Sequence, residues 1–165
     1  MLFQKEVGTV KSKTCCLTGH REILWYQRRR IYRRTVRAIK EHIRNGYRYF
    51  GTGGAIGFDT VAAQAVLKLK KKYPDVRLIL VLPCVDQGKY WKAQDVAVYE
   101  RIKCQADKVV YTSQEYTSGC MLKRNRHLVE NSSACICYLK KSDGGTFYTV
   151  NLARSLGLSV QNIAR

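Results

Sequence analysis

Short apolar runs and longer stretches of helical period alternate along this 165-residue chain. The first apolar run is TCCLTG at 14–19. A helix is predicted after it, from about Trp25 to Asn45, with Ile31, Thr35, Ala38, Ile39, His42 and Ile43 on one face. Gly46 is placed to end that helix. YRYFGT at 47–52 reads as a strand, and a helix from about Phe58 to Lys72 follows, its last lysines complementing the negative end of the helix dipole before Pro74 stops it. VRLILVLP at 76–83 is almost continuously apolar, as suits a strand covered on both faces. The alternation continues with a helix from about Tyr90 to Cys104, a strand DKVVYTS at 107–113, and a helix from about Gly119 to Asn131. A strand ACICYLK at 134–140, a helix from Thr146 to Leu156 and a last strand in LSVQNIA complete it. Strand and helix thus alternate about six times. Right-handed crossovers turn such a pattern into a Rossmann-like, doubly wound α/β domain, with a mostly parallel sheet of about six strands and helices on both faces.

Composition narrows the picture. A chain of 165 residues suits one domain, here 1–165, and buries roughly two-thirds of its unfolded surface without a metal or disulfide staple. No apolar run approaches the roughly 18 residues of a membrane span. The stretch MLFQKEVGTVKSK lacks the apolar segment of a secretory signal, so a cytoplasmic protein is expected. The 7 cysteines form no C-x-x-C pair and, with 3 scattered histidines, show no zinc-ligand spacing. Cys15, Cys16, Cys135 and Cys137 lie in β-like runs and read as small core hydrophobes in a reducing compartment. No metal and no cofactor is expected. A formal net charge of +18, from 30 Lys and Arg against 12 Asp and Glu, makes polyanions the natural partners. A solvated basic surface is the plainer reading of the same number.

Candidate chemistry gathers at the carboxyl ends of the predicted strands, where open parallel sheets bind ligands. Gly19, His20 and Arg21 end the first strand, Pro83 the third, and Asp143-Gly144-Gly145-Thr146 follows the fifth. The second strand runs into GTGGAIGFDT, 51–60. Gly53, Gly54 and Gly57 there would let a ligand reach main-chain N–H groups, with Ala55, Asp59 and Thr60 alongside and a helix amino end behind. The spacing is neither the dinucleotide fingerprint nor a Walker loop, and a tight turn with close helix–strand packing explains the same glycines. Gly144, Gly145 and Thr146 repeat the arrangement on another strand end. Arg21 and Arg124 could fork a phosphate, with Asn125 beside the latter, and His20 could serve as an acid or base. No catalytic residue is assigned. Arg28, Arg29, Arg30, Arg33, Arg34, Arg37, Lys40 and Arg44 with Trp25, Tyr26 and Tyr32 form a basic, aromatic helix, which suits single-stranded nucleic acid or is simply a solvated face.

TGHR at 18–21, GGAIGFDTVAAQ at 53–64, MLKRN at 121–125 and NSSACICYLKKSDGGTFYTVNLA at 131–153 together resemble the SLOG superfamily, and within it the YpsA-like branch. That resemblance implies a Rossmann-like fold and a nucleotide or nucleotide-derived ligand held by Gly53, Gly54, Gly57, Asp59, Thr60, Arg124, Asn125, Gly144, Gly145 and Thr146. Relatives include the LOG phosphoribohydrolases, the single-strand-binding DNA-processing protein A group, and sensors of NAD-derived signals in antiviral defence. LOG enzymes carry a glutamate two residues after the threonine of their glycine motif. Tyr148 stands there in this chain, which leaves Asp59 and Glu130 as the carboxylates for glycosidic chemistry. The expected function is therefore non-catalytic binding, as a sensor or as a sequestering protein such as a viral anti-defence sponge, of a small phosphorylated signal of NAD-derived or cyclic-nucleotide type. A LOG-like N-glycosidic hydrolase and single-stranded nucleic-acid binding are the alternatives. Assembly into homo-oligomers is expected by analogy with Rossmann-like relatives.

Overall fold

A computed structural model describes residues 9–165; the first eight residues of the amino-terminal stretch read above lie outside it. The strands are β1 (Thr14–Gly19), β2 (Tyr49–Thr52), β3 (Arg77–Leu82), β4 (Lys108–Tyr111), β5 (Ala134–Tyr138) and β6 (Ser159–Asn162). The helices are α1 (Arg28–Arg44), α2 (Phe58–Lys70), α3 (Ala93–Gln105), α4 (Cys120–Glu130) and α5 (Gly144–Ser155). A 3₁₀ turn, Trp25–Gln27, leads into α1. The six strands form one wholly parallel sheet in the order β4-β3-β2-β1-β5-β6. The Rossmann-like doubly wound fold read from the pattern is the fold found.

Side chains alternate across the pleat, so each strand feeds two cores. Cys15, Leu17, Phe50, Leu78, Leu80 and Ile136 meet Ile39 of α1 and Val66 of α2 on one face. Cys16, Val81, Cys135 and Cys137 meet Leu128 of α4 and Val150 of α5 on the other. Burial on both faces explains why β3 and β5 carry no polar alternation. The four strand cysteines are fully buried and unbridged, packing as small apolar side chains.

In α1 the buried set is Ile31, Thr35, Ala38, Ile39, His42 and Ile43, the face read from the period. Thr35 and His42 satisfy themselves on the helix, the hydroxyl donating to the Ile31 carbonyl at 2.8 Å and Nδ1 bonding the Ala38 carbonyl at 2.9 Å. Some of the positive charge is structural. Arg34 donates to the Ile163 and Arg165 carbonyls, and Arg48 bridges Asp75 and the Ile43 and Tyr47 carbonyls, tying α1 to the rest of the chain.

The third predicted helix begins at Ala93 rather than Tyr90. The segment before it is a turn in which Trp91 stacks edge-on against Tyr99 at 5.3 Å, leaving Tyr90 exposed. The last predicted helix begins two residues early, at Gly144, so its two glycines are the first turn rather than a loop. Among the described residues no helix is long and apolar enough to cross a membrane.

Candidate functional site

From β1 to β4 each strand pairs with the one before it. β5 then returns to the free side of β1 and β6 extends that half. The chain leaves β1 and β5 in opposite directions, and a crevice opens at their carboxyl ends, the place where this class of sheet takes ligands. A cavity of about 310 Å³ lies there. Gly19, His20 and Arg21 line it after β1, Ala55 and Asp59 at the start of α2, Arg124 and Asn125 on α4, and Gly144, Gly145 and Thr146 at the start of α5. These ten of the expected site residues are gathered around one space.

The two glycine corners differ. A Cβ on Gly53 would stand 2.1 Å from Arg124 Nη1, one on Gly54 2.6 Å from Leu82 Cδ2, and one on Gly57 2.1 Å from the Arg21 carbonyl oxygen. Here the protein's own atoms occupy the space that a ligand was expected to use. Gly53, Gly54 and Gly57 do not line the cavity. Their amino-terminal turn is closed from within: Ala55 N–H donates to Asp59 Oδ2 at 3.1 Å, Thr60 Oγ1 donates to the Ala55 carbonyl at 3.1 Å, and Phe58 N–H donates to the His20 carbonyl at 3.0 Å. Thr60 is thus a turn residue. Gly19 is also a packing glycine: a Cβ there would stand 2.5 Å from Cγ of Phe58.

At the start of α5 the reverse holds. Nothing lies within 4 Å of the position a Cβ would take on Gly144 or Gly145. Gly144 has φ +81° and leads into the helix, and the N-cap residue Asp143 makes no side-chain cap bond. The first amides of α5 therefore face the cavity without a capping oxygen, an arrangement that favours an anion.

His20 knits the rim. Its Nε2 accepts Lys140 N–H at 2.9 Å and Lys141 N–H at 3.4 Å, holding the loop after β5 against the loop after β1. Burial pushes the imidazole below its ordinary pKa, and the Lys141 ammonium adds to that. A neutral ring accepting at Nε2 is a positioning group, not a cationic anchor.

Arg124 is 5% exposed. It donates through Nε to Asn125 Oδ1 at 2.7 Å and through Nη1 to the Gly53 carbonyl, while Nη2 reaches only the Met121 sulfur at 3.7 Å. Asp59 is 7% exposed. Burial raises its pKa and the Arg124 charge pulls it back, whereas burial lowers that of Arg124 and Asp59 restores part of it.

Beyond Gly53, Gly54, Gly57 and Thr60, three further expectations fall outside the cavity. Pro83 is buried at the end of β3 and Tyr148 lies beside the Arg126 guanidinium on the outer side of α5. Glu130 pairs with Arg126 at 3.0 Å in solvent. Met121, Lys141 and Asp143 line the cavity and had not been assigned to it, although Met121 sits three residues before Arg124, on the same helical face. A second space of similar size, against Ile79, Val81 and Val110, is mostly apolar and lacks such convergent donors. Among the described residues no three His, Cys, Asp or Glu side chains gather within metal-binding range.

A family model described as the YspA SLOG family, YpsA, matches residues 26–158. The chain belongs to the YpsA SLOG family. Its relatives include the SPbeta prophage-derived protein YoqJ of Bacillus subtilis, 31% identical over 129 residues, which are 71% of this chain and 75% of YoqJ. Two solved structures share the fold. DNA processing protein A of Streptococcus pneumoniae superposes with TM-score 0.64 at 16% identity, covering 92% of this chain and 50% of that one. The Helicobacter pylori counterpart, described with its single-stranded DNA binding mode, gives TM-score 0.64 at 18% identity over 94% of this chain and 66% of its own. The chain thus spans about half to two-thirds of those proteins. The GGAIGFDT, MLKRN and SDGGT segments, which lie within the matched residues, supply most of the cavity's polar groups, and TGHR at 18–21, before the matched residues, supplies most of the rest.

Proposed function

We propose that the cleft at the β1/β5 crossing binds a small phosphorylated, nucleotide-derived ligand without transforming it. What carries this reading is the uncapped, glycine-opened amino end of α5, facing the same space as Arg21 and Arg124. Main-chain amides, a helix dipole and guanidinium groups are the donors a phosphate needs. Family membership supports nucleotide recognition at this coarse level. Non-catalytic binding is preferred because the carboxyl of Asp59 is committed to Ala55 N–H, and Tyr148, where LOG enzymes carry glutamate, points away. An NAD-derived or cyclic-nucleotide signal, sensed or sequestered by a cytoplasmic protein, is the preferred ligand. A thermal-unfolding panel of NAD, ADP-ribose, cyclic dinucleotides and nucleoside monophosphates tests it. A true ligand at about 100 times its Kd adds roughly 2.7 kcal/mol, which raises the midpoint by about 5–11 °C for a domain of this size. No shift with any of them defeats the proposal.

A second reading has one observation in its favour. Leu24, Trp25 and Tyr26 stand 55%, 86% and 61% exposed immediately before the arginines of α1. Exposed aromatics beside cations suit stacking on single-stranded nucleic acid, and the neighbour from Helicobacter pylori binds single-stranded DNA. Affinity for an oligonucleotide should then fall steeply with salt and weaken in Trp25→Ala. A flat salt response removes this reading.

A further inference from the structure

The cavity has two electrostatic neighbourhoods. At one end Arg124 Nη2 and Arg21 Nη2 both end on Met121 Sδ, at 3.7 and 3.8 Å. A thioether is a weak acceptor, a poor partner for even one guanidinium. Among the described residues neither arginine has a carboxylate within 4 Å. The charges that act most on Arg124 are Asp59, in its favour, and Arg21, against it. Two cations therefore share one buried acid, and that acid also serves Ala55 N–H. At the other end lie the free amides of α5 with Lys141 and Asp143. His20 stands between the ends, and the charges that act most on it are those of Lys141, Asp143, Lys140 and Glu22. One anionic group would satisfy one end and leave the other short. At about 310 Å³ the space lies near the bottom of the roughly 300–1,000 Å³ usual for small-ligand sites.

We infer that the cleft takes a compact ligand bearing two separate anionic groups, of nucleoside bisphosphate class, one group seated on the amino end of α5 and the other between Arg21 and Arg124 where the Met121 sulfur now stands. The inference rests on the nucleotide-cleft reading above and narrows it. Guanidinium forks bind phosphate with paired, charge-assisted hydrogen bonds. The unbranched methionine side chain gives way to such a group at little cost. The buried Arg124 then gains the oxygen partners that its Nη2 lacks.

Isothermal titration of the full chain tests it with adenosine 5′-monophosphate, adenosine 3′,5′-bisphosphate and adenosine 2′,5′-bisphosphate. At least one bisphosphate should bind about tenfold or more tightly than the monophosphate, which is the gain of one charge-assisted contact. Arg21→Gln, at a side chain that donates to the Met121 sulfur, should bring that ratio close to one. Equal affinity of the wild-type protein for all three compounds overturns the two-anion inference and leaves the nucleotide cleft standing. Binding of none of them also overturns the two-anion inference, and the nucleotide cleft is then decided by the wider thermal-unfolding panel. The wild-type comparison decides even where the variant fails to fold, and a ratio unchanged in a folded Arg21→Gln also overturns the inference.

Discussion

Replacing Gly57 and Gly145 by alanine separates a glycine needed by the chain from one that leaves room for a guest. Gly57 has φ +83° and ψ −124°, a conformation open to glycine alone, and the added Cβ would stand 2.1 Å from the backbone oxygen of Arg21. A residue held in so sparse a region costs about 1–3 kcal/mol, and forcing an atom into a packed site adds about 1–3 kcal/mol. The clash is with backbone, so no side-chain rotation relieves it. A loss of about 4 kcal/mol is a large share of the 5–15 kcal/mol that holds an ordinary domain. For a chain of this length it lowers the unfolding midpoint by roughly 8–16 °C. Gly145 is inside α5, its φ is not positive, and nothing lies within 4 Å of the new Cβ. Alanine there gains roughly 0.5–1 kcal/mol of helix propensity, raising the midpoint by about 1–4 °C. It should weaken a phosphorylated ligand by roughly tenfold or more, because the methyl group stands where the phosphate approaches the amides. Thermal unfolding followed by circular dichroism reads both midpoints. A Gly57→Ala protein within 3 °C of wild type, or a Gly145→Ala protein as damaged as Gly57→Ala, would refute the division between the two corners.

Asp59→Asn keeps an acceptor for Ala55 N–H but leaves Arg124 buried without a nearby negative charge; it should cost about 1–3 kcal/mol in denaturant unfolding while tightening anionic ligands, and an unchanged midpoint would show that the carboxylate does not support Arg124. His20 is held below its ordinary pKa by burial and by Lys141, so between about 6.5 and that lowered value the unfolded chain binds the extra proton. Stability should accordingly fall as pH drops below about 6.5, more in wild type than in His20→Gln, and parallel pH profiles of the two proteins would remove His20 as the cause. Ile39→Ala, at a fully buried position where α1 meets the sheet, should lose about 2–5 kcal/mol, read as a lower denaturant midpoint at constant m-value.

The fold was legible because its signals are local. TCCLTG is strand at 14–19 in both reading and structure, and the six buried positions of α1 follow from spacing alone. The site was legible in part. Strand ends could be found without knowing how they neighbour one another, and the parallel order then brings Gly19–Arg21 and Gly144–Thr146 together. What stayed hidden depends on distant partners. The atoms that crowd Gly53 come from Arg124, 71 residues on, so no local pattern distinguishes a glycine opened for a ligand from one filled by the protein. Tyr148 lies beside Arg126 rather than on the cavity, a placement set by the packing of two helices and not by local spacing.

The return of β5 to the side of β1 also orders events at the ribosome. β1 to β4 pair in the sequence in which they are synthesised, so this half-sheet can assemble during translation, in keeping with the tendency of local contacts to form early. The candidate cleft has no such early existence, since one of its two walls belongs to the final third of the polypeptide. Only a finished molecule presents the cleft, so a ligand held there would clamp the completed fold and could not act as a template for it.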